Sequence, residues 1–202
     1  MILEQPHATY PRQVSCKGGV QVLLRPMAAS DLDVVKAFFA SLPRGDRLFL
    51  RYDVTDPHAF DSWVAKLGDK RQLRLLAFAG ERLVGHALLE PEPHNWSQHV
   101  AEARIVVADD FKRRSLGTLM LRELVDQASV RNYDKLCTHV MDTQLAGRKM
   151  CERAGFAVEA ELKNQVKDLE GKKHNLLIMS CSLDAAWHRM EELLQDFGPW
   201  AS

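Results

Sequence analysis

The sequence predicts a single α/β domain built on a mixed, mostly antiparallel sheet of about seven strands. Helical and strand-like hydrophobic patterns alternate along the chain, which is typical of α/β folds. Two pairs of predicted strands, however, are joined by turns of only four residues, at residues 79–82 and 168–171, and such short connections produce antiparallel hairpins. With 202 residues, of which 46% are hydrophobic, the chain can form one substantial core and does not require two.

The first part of the chain is predicted to contain an irregular arm, a strand and two helices. Residues 1–18 combine prolines and glycine without hydrophobic periodicity, which indicates an arm ahead of a domain at residues 19–183. Residues 20–26 form the first predicted strand, and Ser30 is predicted to cap the next helix, with Asp33 three positions on. The apolar residues at helical spacing are Val35, Phe38, Phe39 and Leu42 in the first helix, and Phe60, Trp63, Val64 and Leu67 in the second.

The middle of the chain contains three predicted strands. Residues 73–78 and 83–89 are apolar runs that form the first hairpin. After a loop with two prolines, residues 100–107 form a further strand that ends just before the acidic pair Asp109 and Asp110.

The C-terminal half is predicted to alternate helices and strands. The clearest helix carries a wide apolar stripe that consists of Leu116, Met120, Leu121, Leu124, Val125 and Ala128. Residues 135–141 follow as a strand, residues 143–153 as a helix that closes at Gly155, and residues 156–163 and 174–183 as a second hairpin.

Residues 184–202 are predicted to form a separate amphipathic helix. Its apolar face consists of Trp187, Met190, Leu194 and Phe197. A terminal helix of this kind usually packs on its own sheet, and the alternative is that it forms the interface of a homodimer.

Composition and charge exclude several classes of protein. The 27 basic and 27 acidic side chains cancel, so the overall charge does not indicate a protein that coats nucleic acid or an anionic membrane. The four cysteines lack the spacing of a disulfide framework or a zinc site, which favours a reducing compartment. The N-terminus lacks a signal-peptide pattern, and no window is apolar for long enough to span a bilayer. We therefore expect a soluble, unprocessed, cytoplasmic protein.

The most informative stretch is FKRRSLGTLMLREL, which runs from Phe111 to Leu124. The first N–H groups of a helix lack intrahelical partners and the helix dipole is positive there, so a phosphate satisfies both. Ser115 and Gly117 are small enough to let a phosphate approach the backbone, and the preceding cations add charge-assisted contacts. We call residues 112–115 the basic turn. The alternative is that it is a solvated turn capped by Ser115.

This stretch and its neighbours resemble the acetyl-CoA-binding core of the GNAT superfamily of N-acetyltransferases. The family's Gln/Arg-x-x-Gly-x-Gly/Ala signature falls on residues 112–117, with lysine at the first position and Ser115 in place of the first glycine. Both changes are expected to be mild, because backbone N–H groups make the contacts and serine is still small. The resemblance covers residues 20–183. It is most specific at residues 101–124, where the sequence is most similar to bacterial protein-lysine acetyltransferase domains.

The resemblance implies the rest of the fold and the cofactor. It implies helices on both faces of the sheet and a V-shaped splay between the central strands, into which the acyl-pantetheine arm of acetyl-CoA enters. CoA is the implied product. The implied cofactor-binding residues are Ile105, Val106, Val107, Lys112, Arg113, Arg114, Ser115, Leu116, Gly117, Thr118 and Gln144. Backbone groups of the first three are implied to contact the pantetheine and to polarise the thioester carbonyl, and Gln144 stands where the family usually has asparagine.

Glu102 is the predicted catalytic base. Acetyl transfer requires a neutral amine, whereas a lysine with a pKa near 10.4 is only about one part in 10³ neutral at pH 7. A carboxylate can take that proton directly or through water. Glu102 lies on the strand expected beside the thioester, at the position of a proposed base in lysine-acetyltransferase relatives. The alternative is a surface glutamate paired with Arg104.

Other side chains near the implied site are expected to be structural. Many relatives protonate the leaving thiolate with a tyrosine, whose position is taken by Cys151, and we expect that residue to be a buried packing residue. A thiolate with a conjugate pKa near 8.5 is a tolerable leaving group without a dedicated acid. Cys137 and His139 alternate on one strand, but two ligands do not make a metal site, so no metal is predicted. His86 is expected to be an ordinary core or surface histidine.

The acceptor stays open at this stage. Residues 43–57 cover the acceptor site in relatives, and their polar residues Arg47, Arg51, Tyr52 and Asp53 either select the acceptor or form a solvated loop. We expect a primary amine, from a protein lysine or a small molecule, to attack the thioester directly in a ternary complex. The alternative is a degenerate member that binds acyl-CoA as a sensor or interaction module, which Ser115 and Cys151 favour.

Overall fold

The computed structural model describes residues 9–47, 50, 56, 58, 60–168, 170–184, 186, 189 and 192. The strands are β1 (Arg12–Ser15), β2 (Gln21–Pro26), β3 (Leu73–Ala79), β4 (Arg82–Pro91), β5 (Val100–Val107), β6 (Lys135–Met141), β7 (Ala157–Lys167) and β8 (Lys173–Ser182). The α-helices within residues 9–168 are α1 (Leu32–Ser41), α2 (Arg44–Arg47), α3 (Asp61–Ala65), α4 (Leu116–Val130) and α5 (Leu145–Arg153).

The strands form one sheet in the order β1-β2-β3-β4-β5-β6-β8-β7. Neighbouring strands are antiparallel except β5 and β6, which are parallel. The predicted mixed, mostly antiparallel sheet is therefore confirmed, with one strand more than expected. No helix within the described ranges combines the length and the apolar character that a membrane crossing requires.

The additional strand, β1, lies within the residues predicted to be an irregular arm. It pairs with β2 from Arg12 to Ser15. Only Val14 among its four residues is buried, so no alternating pattern is present in the sequence, and pairing with β2 supplies the order. Its N-terminal end is tied to α4, because the buried carboxylate of Glu123 lies 2.8 Å from Nη1 of Arg12 and accepts the Tyr10 hydroxyl at 3.1 Å.

Helix α1 begins later than predicted, and Ser30 does not cap it. Ala29–Asp31 form a turn of 3-10 helix, and the α-helix starts at Leu32. Asp31 organises this start, because its carboxylate accepts the Ala28 N–H at 2.7 Å and two bonds of 2.6 Å from Arg25. The predicted buried face is confirmed, since Val35, Phe38, Phe39 and Leu42 are at most 5% exposed.

Two groups of predicted residues lie outside the described part of the chain. They are Arg51, Tyr52 and Asp53 near the acceptor site, and Trp187, Met190, Leu194 and Phe197 in the C-terminal helix. The division into an arm, a domain at 19–183 and a C-terminal helix, and the homodimer interface, therefore stay predictions.

Helices cover both faces of the sheet, as the resemblance implies. On β4, a Cβ built on Gly85 would lie 2.8 Å from Sδ of Met120 in α4. The next residue, His86, stacks on Trp63 of α3 at 5.2 Å and meets Phe39 of α1 edge-on at 5.3 Å. Successive strand residues point to opposite faces. We therefore distinguish the α1 face, which carries α1 and α3, from the α4 face.

The central strands β5 and β6 diverge. Their parallel ladder has three pairs, which run from Val100↔Lys135 to Glu102↔Cys137. Beyond this point β5 stays paired with β4 up to Val107, and β6 stays paired with β8 up to Met141. Residues 103–107 and 138–141 therefore form the two arms of a V that opens away from Glu102, which confirms the predicted splay.

Candidate active site

The V between β5 and β6 holds a cleft of about 270 Å³ whose walls come from both faces of the sheet. The wall on the side of α4 and α5 consists of Ile105, Val107, Gly147, Met150 and Cys151. The wall on the α1 face consists of Phe39, Trp63, His86, Glu102, Arg104 and His139. Because the strands separate here, an elongated ligand can contact both groups at once.

Glu102 and His139 project from the same face of the sheet. Paired residues of neighbouring strands share a face, so Glu102 lies on the side of its partner Glu90, which is the face of His86. Cys137 is the partner of Glu102 on β6, and His139 is two residues further on that strand. Nδ1 of His139 lies 2.7 Å from Oε1 of Glu102.

Glu102 is buried, and its surroundings explain how a carboxylate can occupy that position. Only 6% of its side chain is exposed, and its Oε2 lies 3.1 Å from Nη2 of Arg104. Arg104 also pairs with Glu90, which stands directly opposite Glu102. Opposed carboxylates repel each other, and the guanidinium between them offsets that repulsion. Glu102 is thus not the surface residue of the alternative interpretation, although it does pair with Arg104.

The basic turn has a left-handed backbone at two residues. The φ angle is 61° at Arg113 and 70° at Ser115. Left-handed residues in a turn direct successive N–H groups inward and form concavities that bind anions. The left-handed conformation, in addition to small size, therefore favours the glycine that the family signature has at the Ser115 position. Helix α4 starts at the next residue and adds its unpaired first-turn N–H groups.

Lys112 is already held by two carboxylates. Its Nζ lies 2.6 Å from Oδ2 of Asp46 in α2 and 3.0 Å from Oδ1 of Asp109. Burial acts to lower the pKa of Lys112, but the hydrogen bonds to these carboxylates outweigh it and raise the pKa. The ammonium is charged, and it is shared between the turn and α2.

The other residues of the basic turn and of the start of α4 differ in the groups that they can present to a ligand. Arg113 and Arg114 are exposed, and neither forms an ion pair with a carboxylate among the described residues. The side chain of Leu116 is fully buried, so only its backbone can face a ligand. Thr118 is half-buried, and Gly117 is close to α5, since a Cβ built there would lie 3.1 Å from Sδ of Met150.

Gln144 and Cys151 lie at opposite ends of α5. The structure starts this helix at Leu145 and not at the predicted residue 143, and Oε1 of Gln144 accepts the Met141 N–H at 2.9 Å. Gln144 lines the cleft, and its side-chain NH2 group can still donate hydrogen bonds. Burial raises the pKa of Cys151 to about 12. A thiol that holds its proton this tightly is a poor donor to a leaving thiolate.

The wall of the cleft on the α1 face contains aromatic and cationic side chains. The guanidinium carbon of Arg74 lies 4.0 Å from the ring centre of Trp63, within cation–π range. Burial, with contributions from Arg74 and Arg104, lowers the pKa of His86 to about 3. His86 is therefore a neutral core histidine, which is one of the two interpretations the sequence left open.

The sequence analysis predicted roles for Glu102 and the basic turn, which stay predictions, and it did not predict the partners of these residues. It weighed His139 only as a metal ligand beside Cys137, whereas the structure pairs it with Glu102. No group of three or more His, Cys, Asp or Glu side chains in the described ranges is arranged to hold a metal ion. The Glu102–His139 pair follows from the register of β5 against β6, which no local pattern in the sequence encodes.

Comparison with known proteins agrees with this architecture. The sequence profile of the Acetyltransferase (GNAT) family matches residues 37–156. Comparison with curated proteins gives no significant match.

Several solved structures share the fold. A GNAT-family acetyltransferase from Streptococcus pneumoniae aligns with a TM-score of 0.70 at 20% identity, over 80% of this chain and 99% of its own. A ribosomal-protein-alanine N-acetyltransferase from Brucella melitensis has a TM-score of 0.67 at 21% identity, over 79% and 99%. A Salmonella typhimurium acetyltransferase, solved with its cofactor acetyl-CoA, has a TM-score of 0.64 at 15% identity, over 81% and 94%. At these identities the similarity establishes the fold.

Proposed function

Because the chain belongs to the Acetyltransferase (GNAT) family, we propose that it transfers the acetyl group of acetyl-CoA to a primary amine by direct attack in a ternary complex. Acetyl-CoA is the acetyl donor of this family, and CoA is the product. The observation that carries the proposal is the splay of β5 and β6, which closes at the buried carboxylate of Glu102. The thioester carbonyl of a bound acetyl-CoA would then lie in the cleft close to a proton acceptor.

The basic turn and the start of α4 fit the diphosphate of acetyl-CoA. Two residues with a left-handed backbone, Arg113 and Ser115, precede the N-terminus of a 15-residue helix. Arg113 and Arg114 are exposed at this point. We propose that Arg113 and Arg114 supply charge, that the backbone of residues 115–118 supplies N–H donors, and that Lys112 contributes alongside its carboxylate partners. We propose that backbone groups of residues 105–107 and the amide of Gln144 contact the pantetheine arm.

Glu102 is the proposed centre of proton uptake. When bound, acetyl-CoA supplies a carbonyl activated by its thioester bond. The amine must lose a proton to react, and Glu102 is the carboxylate at the closed end of the V. Arg104 pairs with this buried carboxylate, with Nη2 lying 3.1 Å from Oε2. Cys151 is not assigned as the proton donor for the leaving thiolate, because it holds its own proton too tightly.

The acceptor is a primary amine in this proposal, and its size is a matter for experiment. The Brucella melitensis structural neighbour is named for action on an alanine of a ribosomal protein. We therefore propose a screen of three probes: a peptide with a free N-terminal alanine, an N-terminally blocked peptide with one lysine, and a set of small primary amines.

Cofactor binding is tested by calorimetric titration with acetyl-CoA. Wild-type protein should bind saturably, and the double variant Arg114→Glu/Gly117→Glu should not, because it places two negative charges at the diphosphate site. Arg153→Glu, at an exposed position of α5, is the control for charge reversal. Wild-type protein that does not bind at millimolar concentration, which corresponds to less than about 4 kcal/mol of binding free energy, would mean that the fold is kept without its cofactor.

Turnover is tested by release of free CoA thiol in the presence of the acceptor probes. Glu102→Gln should reduce the rate by about 100-fold or more while acetyl-CoA still binds. Binding without thiol release would instead favour the alternative of an acyl-CoA sensor or interaction module. Full turnover by Glu102→Gln across the pH range would rule out the role of Glu102.

A further inference from the structure

We propose that Glu102 acts through His139, so that Nε2 of the imidazole receives the proton of the amine and Glu102 is the positioning residue. This inference rests on the proposed acetyl transfer and names a second residue for it. The two side chains come from adjacent strands and form a pair in the wall of the cleft.

Exposure separates the roles of the two side chains. The side chain of Glu102 is only 6% exposed, and each of its oxygens lies within hydrogen-bond distance of a nitrogen, Nδ1 of His139 or Nη2 of Arg104. The side chain of His139 is 22% exposed and lines the cleft. A group that takes a proton from a substrate must reach it within hydrogen-bond distance. Both side chains line the cleft, and the imidazole is the more exposed of the two.

The strand register places His139 on the ligand side of Glu102. Glu102 belongs to the last pair of the β5–β6 ladder, and His139 stands two residues beyond its partner Cys137 on the same face. The strands have begun to separate at His139, whereas they are still paired at Glu102. A thioester lodged between the arms of the V therefore lies nearer to the imidazole than to the closed end.

The contact with Glu102 also determines which nitrogen can act as the base. In this proposal Glu102 acts as a carboxylate, which only accepts hydrogen bonds, so Nδ1 carries the proton and donates it across the contact of 2.7 Å. The lone pair of the neutral ring is then on Nε2. When Nε2 takes up a second proton, the adjacent carboxylate stabilises the resulting imidazolium, as in other carboxylate–histidine pairs.

The proposed transfer balances without a further reactant. The ammonium group of the acceptor gives one proton to Nε2 of His139, and the neutral amine then donates its lone pair to the carbonyl carbon and forms the new C–N bond. The carbon–sulfur bond breaks, and its electron pair goes to sulfur. The proton on Nε2 passes to the CoA thiolate, which restores the neutral ring, and the second proton that nitrogen loses goes to solvent. The products are the acetylated amine, CoA thiol and one proton.

The first test measures the tautomer of His139 and needs no acceptor. In ¹⁵N NMR spectra of the full-length protein at neutral pH, the ring should show a protonated Nδ1 and an unprotonated Nε2, assigned by loss of the signals in His139→Gln. Glu102→Gln should abolish this preference, because a neutral amide does not require a donor at Nδ1. A wild-type ring protonated at Nε2 would overturn the proposal even if the protein proves to be an acetyltransferase.

The second test separates proton transfer from packing. His139→Ala should lower kcat by at least about 100-fold and leave the calorimetric Kd for acetyl-CoA within threefold, and added imidazole should restore part of the rate. His139→Gln should lower kcat to the same degree without rescue, and His99→Ala, at an exposed histidine outside the cleft, should behave as wild type. Unchanged kcat in His139→Ala, or loss of rate without rescue, would overturn the role of His139. Absence of turnover by wild-type protein with every amine would overturn the proposed function itself.

Discussion

Asp46 and Lys112 connect α2 with the basic turn through an ion pair in which Oδ2 and Nζ are 2.6 Å apart. Both residues line the cleft, and their side chains are 24% and 40% exposed. The pair therefore joins the segment that is implied to cover the acceptor site to the turn that is implied to hold the cofactor. An anion that engages Lys112 must share its charge with Asp46, so the two sites are electrostatically coupled.

Removal of the Asp46 charge is predicted to strengthen acetyl-CoA binding. Asp46→Asn leaves Lys112 with Asp109 alone, so more of its charge is available to a diphosphate. Partly exposed ion pairs are worth up to about 1 kcal/mol, which corresponds to a two- to fivefold lower Kd by calorimetry. Asp33→Asn, an exposed substitution of the same charge in α1, should leave the Kd unchanged. Equal or weaker binding by Asp46→Asn would show that Lys112 does not contribute to the diphosphate site.

Ser115→Gly is predicted to stabilise the protein. A side chain at φ 70° carries a steric cost of about 1 kcal/mol that glycine avoids, although glycine loses more chain entropy on folding. We expect a net gain of about 0.5 kcal/mol and a rise in Tm of about 1–2 °C.

The matched control is the same substitution at Ser129, an exposed position near the end of the same helix. Its backbone is helical, so Ser129→Gly should instead lower the Tm. A lower Tm for both variants would mean that the left-handed conformation of Ser115 is not strained.

Arg104 is predicted to be needed mainly because Glu90 and Glu102 stand opposite each other. Arg104→Met leaves two part-buried carboxylates without their shared cation and should cost about 3 kcal/mol in the free energy of unfolding. Glu90→Gln alone should be mildly destabilising, because it removes one partner of Arg104. In the Arg104→Met background it should stabilise, because it removes the repulsion.

Urea denaturation of the four proteins in this cycle measures that reversal of sign. Lys135→Met serves as the reference, because it removes the exposed Lys135–Glu159 pair and should cost at most about 1 kcal/mol. If Glu90→Gln destabilises both backgrounds equally, Arg104 does not hold the two carboxylates together.

Local patterns in the sequence were sufficient to predict the strands and the helix nearest the candidate site. The bounds of β5 and β6 and the buried stripe of α4 agree with prediction because each has a strong hydrophobic period of its own. β1 was missed because it has a single buried residue and owes its order to β2. Likewise, the family resemblance singled out Glu102 as a candidate base but did not predict its contacts. The pairs Glu102–His139 and Asp46–Lys112 join residues 37 and 66 positions apart, and only the assembled sheet brings them together.

His86 is predicted to make stability fall as the pH is lowered below neutrality. Burial first, and then Arg74 and Arg104, lower its pKa from 6.5 to about 3, so the folded protein keeps the ring neutral where the unfolded chain takes up a proton. Stability is therefore present above pH 6.5 and is lost progressively as the pH falls towards 3. The slope approaches 1.4 kcal/mol per pH unit, and the loss between pH 7 and pH 5 is about 2 kcal/mol.

His86→Phe isolates this contribution, because an aromatic ring can still pack against Trp63 and Phe39 but does not titrate. Whatever the variant does to stability at pH 7, its free energy of unfolding should fall by about 2 kcal/mol less than that of the wild type on going to pH 5. His99→Phe removes an exposed histidine and should leave the difference between the two pH values unchanged. Parallel pH profiles for wild type and His86→Phe would mean that His86 is protonated in the folded protein, which would place a cation between Arg74 and Arg104 and contradict its burial.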